Sequence, residues 1–248
     1  MENKIGQEFM HMTKYENLGP YPQKQGAPIP ALELPLEDGA ALFDLPGGKE
    51  IDLGKIDLAK LIEQRESLRK YANEAISLQE LAFLLWGTQG VKSLTDFPVT
   101  KRTVPSAGSR HPFETYLLVN QVDGLEPGLY RYLALTHQLA RLPGFDHIRE
   151  ELTEACLKQQ HIYNSAVTFI WVAVPERTTW RYGERGYRYI HLDAGHVCQN
   201  LYLLAEAIDC GICAIAAFDD DTTNRVLHLD GVNRFAAYLA SLGKKITA

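Results

Sequence analysis

Arg65-Glu66-Ser67-Leu68-Arg69 sets two guanidinium groups and a hydroxyl within five positions, where a short helix gives way to a loop. A phosphate favours such a set, because arginine offers paired N–H donors in a planar fork. A solvated helix end has the same composition, so the five residues alone do not decide. A second stretch runs Thr103-Val-Pro-Ser-Ala-Gly-Ser-Arg-His-Pro-Phe-Glu114. Pro105 and Pro112 restrict the backbone, and Gly108 permits dihedrals that other residues avoid. Ser106 and Ser109 add hydroxyls, and Arg110 adds a cationic fork. Such a loop can bring its backbone amides to a flat, polar, anionic ligand, although a turn before a strand looks similar. A third stretch, Trp180-Arg-Tyr-Gly-Glu-Arg-Gly-Tyr-Arg-Tyr189, mixes aromatic and cationic groups ahead of Asp193, His196 and Gln199.

Composition narrows the classes. Lysine plus arginine total 25 against 31 acidic residues, so the net charge of −6 argues against general nucleic-acid binding. The N-terminal stretch Met1 to Glu8 is polar, unlike a signal peptide, and the longest apolar run, 166–174, is too short to span a bilayer. A cytoplasmic location is the simplest expectation. Cys210-x-x-Cys213, with His196 and Cys198 upstream, has metal-like spacing, but it lies in an apolar passage where cysteine acts as a small hydrophobe. No metal is expected, and whether Cys210 and Cys213 react is left open. The dinucleotide glycine fingerprint, the P-loop and the serine-hydrolase elbow are all missing from the chain.

The elements that must position these residues follow from caps and periodicity. Residues 1–54 carry six of the twelve prolines and read as an extended N-terminal arm. Residues 55–248 read as the folded domain. Asp57 caps a first helix reaching about Arg65, and Ser77-Leu-Gln-Glu80 is a capping box opening an apolar second helix. Phe113–Asn120 predicts a strand, 128–133 and 138–142 a hairpin, 147–160 a helix, and 165–174 a strand buried on both faces. The 180–189 stretch reads as a loop, with Asp193 capping a long helix that stops at Gly211. Residues 212–218 cross the core, Asp219 caps a short helix, and 234–242 is a closing strand. Helices and strands mix without regular alternation, which predicts an α+β fold.

Four segments in this order resemble the FMN-dependent nitroreductase family, and within it the SagB/ThcOx-type dehydrogenases. They are Arg65-x-Ser67-x-Arg69; Pro105-Ser-Ala-Gly-x-Arg-His-Pro-x-Glu114 with the Gly128-Leu-Tyr-Arg-Tyr132 hairpin; Arg185-Gly-Tyr-Arg-Tyr189 leading to Gly195-His196-x-x-Gln199-Asn200; and Gly211-x-x-Ala214-Ile-Ala-Ala-Phe-Asp-Asp220. The resemblance covers about 55–248. It implies a nitroreductase-like α+β fold with a central, mostly antiparallel sheet flanked by helices, and a homodimer with FMN at the subunit interface.

Residue by residue, the resemblance implies that Arg65 meets the FMN phosphate, with Ser67 and Arg69 along the ribityl chain and pyrimidine edge. Pro105, Ser106, Ala107 and Gly108 reach the flavin from the other subunit. Ala216 and Ala217 bring backbone amides to the N5 side, and Lys244 makes a last basic contact to phosphate. Azoline-oxidising members carry a Lys-Tyr pair as acid/base element where this chain has Arg181-Tyr182. Arginine stays protonated, so azoline oxidation is left unassigned while Tyr182 retains a transferable proton. Arg181, Tyr182 and Tyr187 are expected to line the substrate face. His196 and Gln199 are expected to tie the preceding loop down, and Glu114 to pair with Arg110 or a neighbouring arginine. The expected function is hydride transfer between flavin N5 and a small-molecule or peptide substrate, with NADH or NADPH as electron donor. A flavin-binding or partner-binding module without turnover is the alternative.

Overall fold

The computed structural model describes residues 4–97 and 99–246; Met1–Asn3 of the polar N-terminal stretch lie outside them, as do Pro98 and residues 247–248. Its helices are α1 (Ile5–Met12), α2 (Leu58–Gln64), α3 (Leu78–Gln89), α4 (Ile148–Ala155), α5 (Gln160–Tyr163), α6 (Glu176–Tyr182), α7 (Gly186–Glu206) and α8 (Asp220–Val226). Its strands are β1 (Ala41–Asp44), β2 (Val91–Leu94), β3 (Thr100–Arg102), β4 (Phe113–Val119), β5 (Gly128–Leu133), β6 (Gln138–Arg141), β7 (Val167–Ala173), β8 (Cys210–Ile215) and β9 (Phe235–Lys244).

Seven strands form one sheet in the order β1-β6-β5-β4-β7-β9-β8, and every neighbouring pair is antiparallel. The remaining two, β2 and β3, form a separate antiparallel pair. The expected α+β fold with an antiparallel centre is the fold observed. Strand β7 shows why both sheet faces are covered. Val167, Phe169 and Trp171 face a core shared with Leu84 and Leu85 of α3 and Val197 and Leu201 of α7. Ile170 and Val172 face a second core with Leu152 of α4 and Leu227 beyond α8. Alternate residues of a strand point to opposite faces, so a strand between two helical layers must be apolar throughout.

The expected caps form. Asp57 accepts from the amides of Ala59 and Lys60, Ser77 and Glu80 complete a capping box, and Asp219 accepts from Thr222 N. Each satisfies amides that the first helical turn leaves unpaired.

Three expectations need correction. The 180–189 stretch is not a loop: α6 runs to Tyr182, a 3-10 turn covers 183–185, and α7 begins at Gly186, so Asp193 lies within α7 and does not cap it. Gly186 permits this tight junction, since a Cβ there would sit 3.0 Å from Thr179 N. The long helix also stops at Glu206, short of Gly211. Next, the expected helix 147–160 divides into α4 and α5, because Leu157 and Lys158 take left-handed φ of 57° and 61°. Last, the arm is not extended throughout. It carries α1, a 3-10 turn at Pro22–Gln25, and β1, which pairs along β6 from Ala41↔Arg141 to Asp44↔Gln138.

Candidate functional site

The predicted site residues gather at two places along α7. The first begins where α2 ends at Arg65. Beyond it the chain lies on the sheet edge: Ser67 bridges Ile212 in parallel, Leu68 N donates to Ile212 O at 2.8 Å, and Ala72 N donates to Lys244 O at 3.0 Å. Two glycines make this approach possible. A Cβ on Gly211 would stand 2.8 Å from Leu68 Cβ, and one on Gly243 would stand 2.6 Å from Tyr71 Cγ.

Tyr202 organises this cluster from α7. Its hydroxyl lies 2.8 Å from Ser67 Oγ and accepts from Ala214 N at 3.1 Å, while Arg65 stacks over its ring at 5.2 Å. Burial pushes the Cys213 thiol up, against the pull of the neighbouring Arg69. Among the described residues neither Arg65 nor Arg69 has a carboxylate partner. Ser67 and Arg69 are exposed and Arg65 is half-buried. Ala216 and Ala217 are exposed just past the end of β8, and Ala217 O accepts from Gln159 Nε2 at 2.7 Å.

Lys244, expected beside the phosphate, is engaged elsewhere. Its ammonium pairs with Glu80 of the capping box and donates to Ile208 O at 3.2 Å. It therefore reaches the anion-ready cluster only by giving up an ion pair that is largely shielded from water.

The second cluster is the 105–111 loop. Ser106 Oγ donates to Asp193 Oδ2 at 2.5 Å and accepts from His111 N at 2.9 Å, and Ala107 N donates to Asp193 Oδ1 at 3.4 Å. The Asp193 carboxylate thus holds the loop's 3-10 turn, and burial pushes its pKa above the ordinary carboxylate value. His111 donates from Nε2 to Thr100 O at 3.1 Å, and burial beside Arg102 pushes its pKa down to about 3.

Gly108 has φ 60°, and a Cβ there would fall 2.5 Å from the Tyr182 hydroxyl and 3.0 Å from Arg181 Cδ. The loop and the Arg181-Tyr182 pair are therefore neighbours within one chain. Arg110 turns inward from this surface: it is 2% exposed, donates from Nε to Arg177 O at 2.9 Å, and stacks over Trp180 at 5.0 Å. Glu114 pairs with Arg177, the neighbouring arginine, and accepts from Leu34 N at 2.9 Å.

The remaining predicted residues divide. Tyr187 packs on the core, and burial pushes its phenol up. His196 stands 3.9 Å from Asp193, Gln199 is exposed, and Asn200 donates to Gly87 O at 3.0 Å. Sequence reasoning missed Tyr202, and it placed Tyr189 in a motif and Tyr15 in the arm without a partner for either. Tyr202 had one signal, a polar ring on the α7 face that also carries apolar residues; Tyr15 stood only as an aromatic anchor of the arm.

Tyr202 and Asp193 are nine residues apart on one helix, so the two clusters stand roughly 13 Å apart along its axis. The first offers arginines without a carboxylate partner among the described residues, a hydroxyl and small exposed residues, a donor set suited to a phosphate and a polyol. The second offers a backbone loop against an arginine and a tyrosine, suited to a flat face and a proton.

The nitroreductase family model matches residues 62–244. A protein named as a nitroreductase in Methanocaldococcus jannaschii is 35% identical over 195 residues, 79% of this chain and 94% of that protein. The trifolitoxin-processing protein TfxB of Rhizobium leguminosarum bv. trifolii is 31% identical over 134 residues, 52% of this chain. A crystal structure described as a nitroreductase from Anabaena variabilis superposes with TM-score 0.68 at 28% identity over 84% of this chain. The matched part is 36% of the Rhizobium protein and 42% of the Anabaena chain. The family model spans most of the chain, residues 62–244, which include the residues of both clusters, and one relative is matched over nearly its whole length. The chain belongs to the nitroreductase family.

Proposed function

We propose that the chain is an FMN-dependent oxidoreductase of the SagB-type dehydrogenase branch, acting as a homodimer with FMN between subunits. One observation carries this reading: the predicted cofactor residues split into two clusters separated along α7, which supports a site where the arginine cluster of one chain meets the 105–108 loop of another. An apolar groove of about 480 Å³ between α2, α3 and α7, lined by Leu53, Ile56, Leu58, Leu61, Trp86 and Leu203, is the surface assigned to the second copy.

The donor set fits FMN. Arg65 and Arg69 would hold the phosphate and the electron-rich edge of the ring, and Ser67, steadied by Tyr202, the ribityl chain. Bound there, FMN supplies hydride transfer at N5. Arginine forks fixed by neighbouring packing stabilise negative charge without reorganising. The loop 105–108, held by Asp193, would form the opposite wall and exclude water. At that wall Tyr182 would hold or release a proton at its hydroxyl, and Arg181 would orient an anionic substrate. The substrate is a small organic molecule or a group carried on a peptide, and NADH or NADPH is the electron donor.

The test is purification followed by reconstitution. Flavin absorbance after FMN is supplied, together with a dimer mass by light scattering, is the expected result. Protein that takes up no FMN, or that binds it as a monomer, overturns the reading. Failure of the bound flavin to be reduced by NADH or NADPH would favour a binding module without turnover.

A further inference from the structure

The N-terminal arm lies against the corner that carries Arg181 and Tyr182. Arg185 donates from Nη1 to Thr13 O at 2.9 Å, Arg188 donates from Nε to Thr13 Oγ1 at 2.6 Å and also to Met10 O, and Trp180 Nε1 donates to Ala27 O at 2.9 Å. Trp180 of α6, Arg185 of the 3-10 turn and Arg188 of α7 thus clamp the arm chiefly through its backbone carbonyls. These bonds bring Tyr15 to Tyr189, with their hydroxyls 2.9 Å apart.

From Tyr15 the contacts run inward without a gap. Arg185 Nε donates to the Tyr189 hydroxyl at 2.7 Å and stacks over the Tyr15 ring at 4.3 Å. The Tyr189 ring meets the Tyr182 ring edge-on, with centroids 4.9 Å apart and planes at 85°. The Tyr182 hydroxyl then lies 2.5 Å from where a Cβ on Gly108 would stand. Edge-to-face packing fixes a ring's plane as well as its distance. Tyr182 ends in a small-residue loop and begins against a ring that is itself held by two polar bonds.

We propose that Tyr189 and the arm's Tyr15 are positioning residues that aim the Tyr182 hydroxyl at the Gly108 wall of the site. The inference rests on the FMN reading, in which that wall faces the cofactor. It gives the arm a part in the reaction as well as in the sheet. Arg181 cannot release a proton, so the aim of Tyr182 sets whether this corner can do acid–base work. A reacting group displaced by about 1 Å costs up to ~100-fold in rate.

The test uses the full chain loaded with FMN, with 3-fluorotyrosine placed at position 182 and turnover measured with NADPH and p-benzoquinone. Tyr15→Phe and Tyr189→Phe each remove one hydroxyl and leave the rings in place. Both are expected to move the fluorine resonance and to lower kcat on the order of three- to tenfold, the size of one net hydrogen bond, with FMN affinity unchanged. Tyr189→Leu removes the edge contact and is expected to lose more, with Tyr189→Phe recovering part of the loss. An unmoved fluorine resonance in Tyr189→Leu overturns the positioning link. So does full turnover in Tyr15→Phe and Tyr189→Phe when Tyr182→Phe is impaired. Full turnover in Tyr182→Phe itself would instead overturn the assignment of Tyr182 in the proposed reaction, a failure distinct from that of the resonance.

Discussion

Ser106 Oγ and Asp193 Oδ2 stand 2.5 Å apart, joining the small-residue loop to the middle of α7 across 87 positions of sequence. Asp193 is 3% exposed, so its carboxylate depends on this hydroxyl and on Ala107 N for its hydrogen bonds. Removing the hydroxyl leaves a buried acceptor short of a donor, which costs about 1–3 kcal/mol. Ser106→Ala is expected to lower urea stability by that amount and to weaken FMN binding, read by flavin fluorescence. Unchanged FMN affinity would show that the loop is not a wall of the cofactor site.

The two basic positions make opposite predictions. Arg65 has no carboxylate partner among the described residues, so Arg65→Ala is expected to weaken FMN binding by tenfold or more, about 1.5–3 kcal/mol for a charged hydrogen bond, with little change in stability. Lys244 is paired with Glu80, so Lys244→Ala is expected to lower stability by about 1–3 kcal/mol, the cost of leaving a shielded carboxylate short of a donor, with a small change in FMN affinity. Titration and thermal melts on both variants decide it; equal losses of FMN affinity would refute the phosphate assignment.

His111 makes an acid-limb prediction. Its folded pKa of about 3 lies below the ordinary 6.5, because burial and the nearby arginines disfavour its charge. Between those values the unfolded chain binds the extra proton, so stability falls as pH drops from about 6.5 toward 3, by up to about 1.4 kcal/mol per pH unit. Denaturant unfolding at several pH values should show this slope, and His111→Gln, which keeps a donor for Thr100 O, should flatten it. An identical slope in the variant would assign the acid sensitivity to other groups.

Gly211→Ala tests the seating of the phosphate segment. The new methyl would meet Leu68 Cβ at 2.8 Å, displacing the chain between Ser67 and Arg69. Overpacking of this kind costs about 1–3 kcal/mol. The expected result is a lower melting temperature and weaker FMN binding, with circular dichroism unchanged at 20 °C; wild-type FMN affinity would separate the segment from the cofactor site.

Much of the fold was legible locally. Asp57, Ser77, Glu80 and Asp219 announced helix starts because a cap bonds amides two or three positions away. The long apolar run at 165–174 announced β7 because a strand between two helical layers has no wet face. The start of α7 was not legible. Gly183, Gly186 and the aromatic residues read as a loop by propensity, and close packing of Gly186 on Thr179 overrode it. Strand β1 also escaped notice, since most of its residues are exposed and its pairing with β6 alone defines it.

The sequence by itself determined which side chains can do chemistry: two arginines and a hydroxyl for a phosphate, a small-residue loop, and an Arg-Tyr pair. It also determined the family, through the order of four motifs. The tertiary structure decided which of these groups are available. It turned Arg110 inward, tied Lys244 to Glu80 across 164 positions, gave Asp193 to the loop, and brought Tyr15 to Tyr189 across 174. The physical reason is range. Caps and strand periodicity are written in residues a few positions apart, whereas a charge or hydroxyl finds its partner only where packing places one.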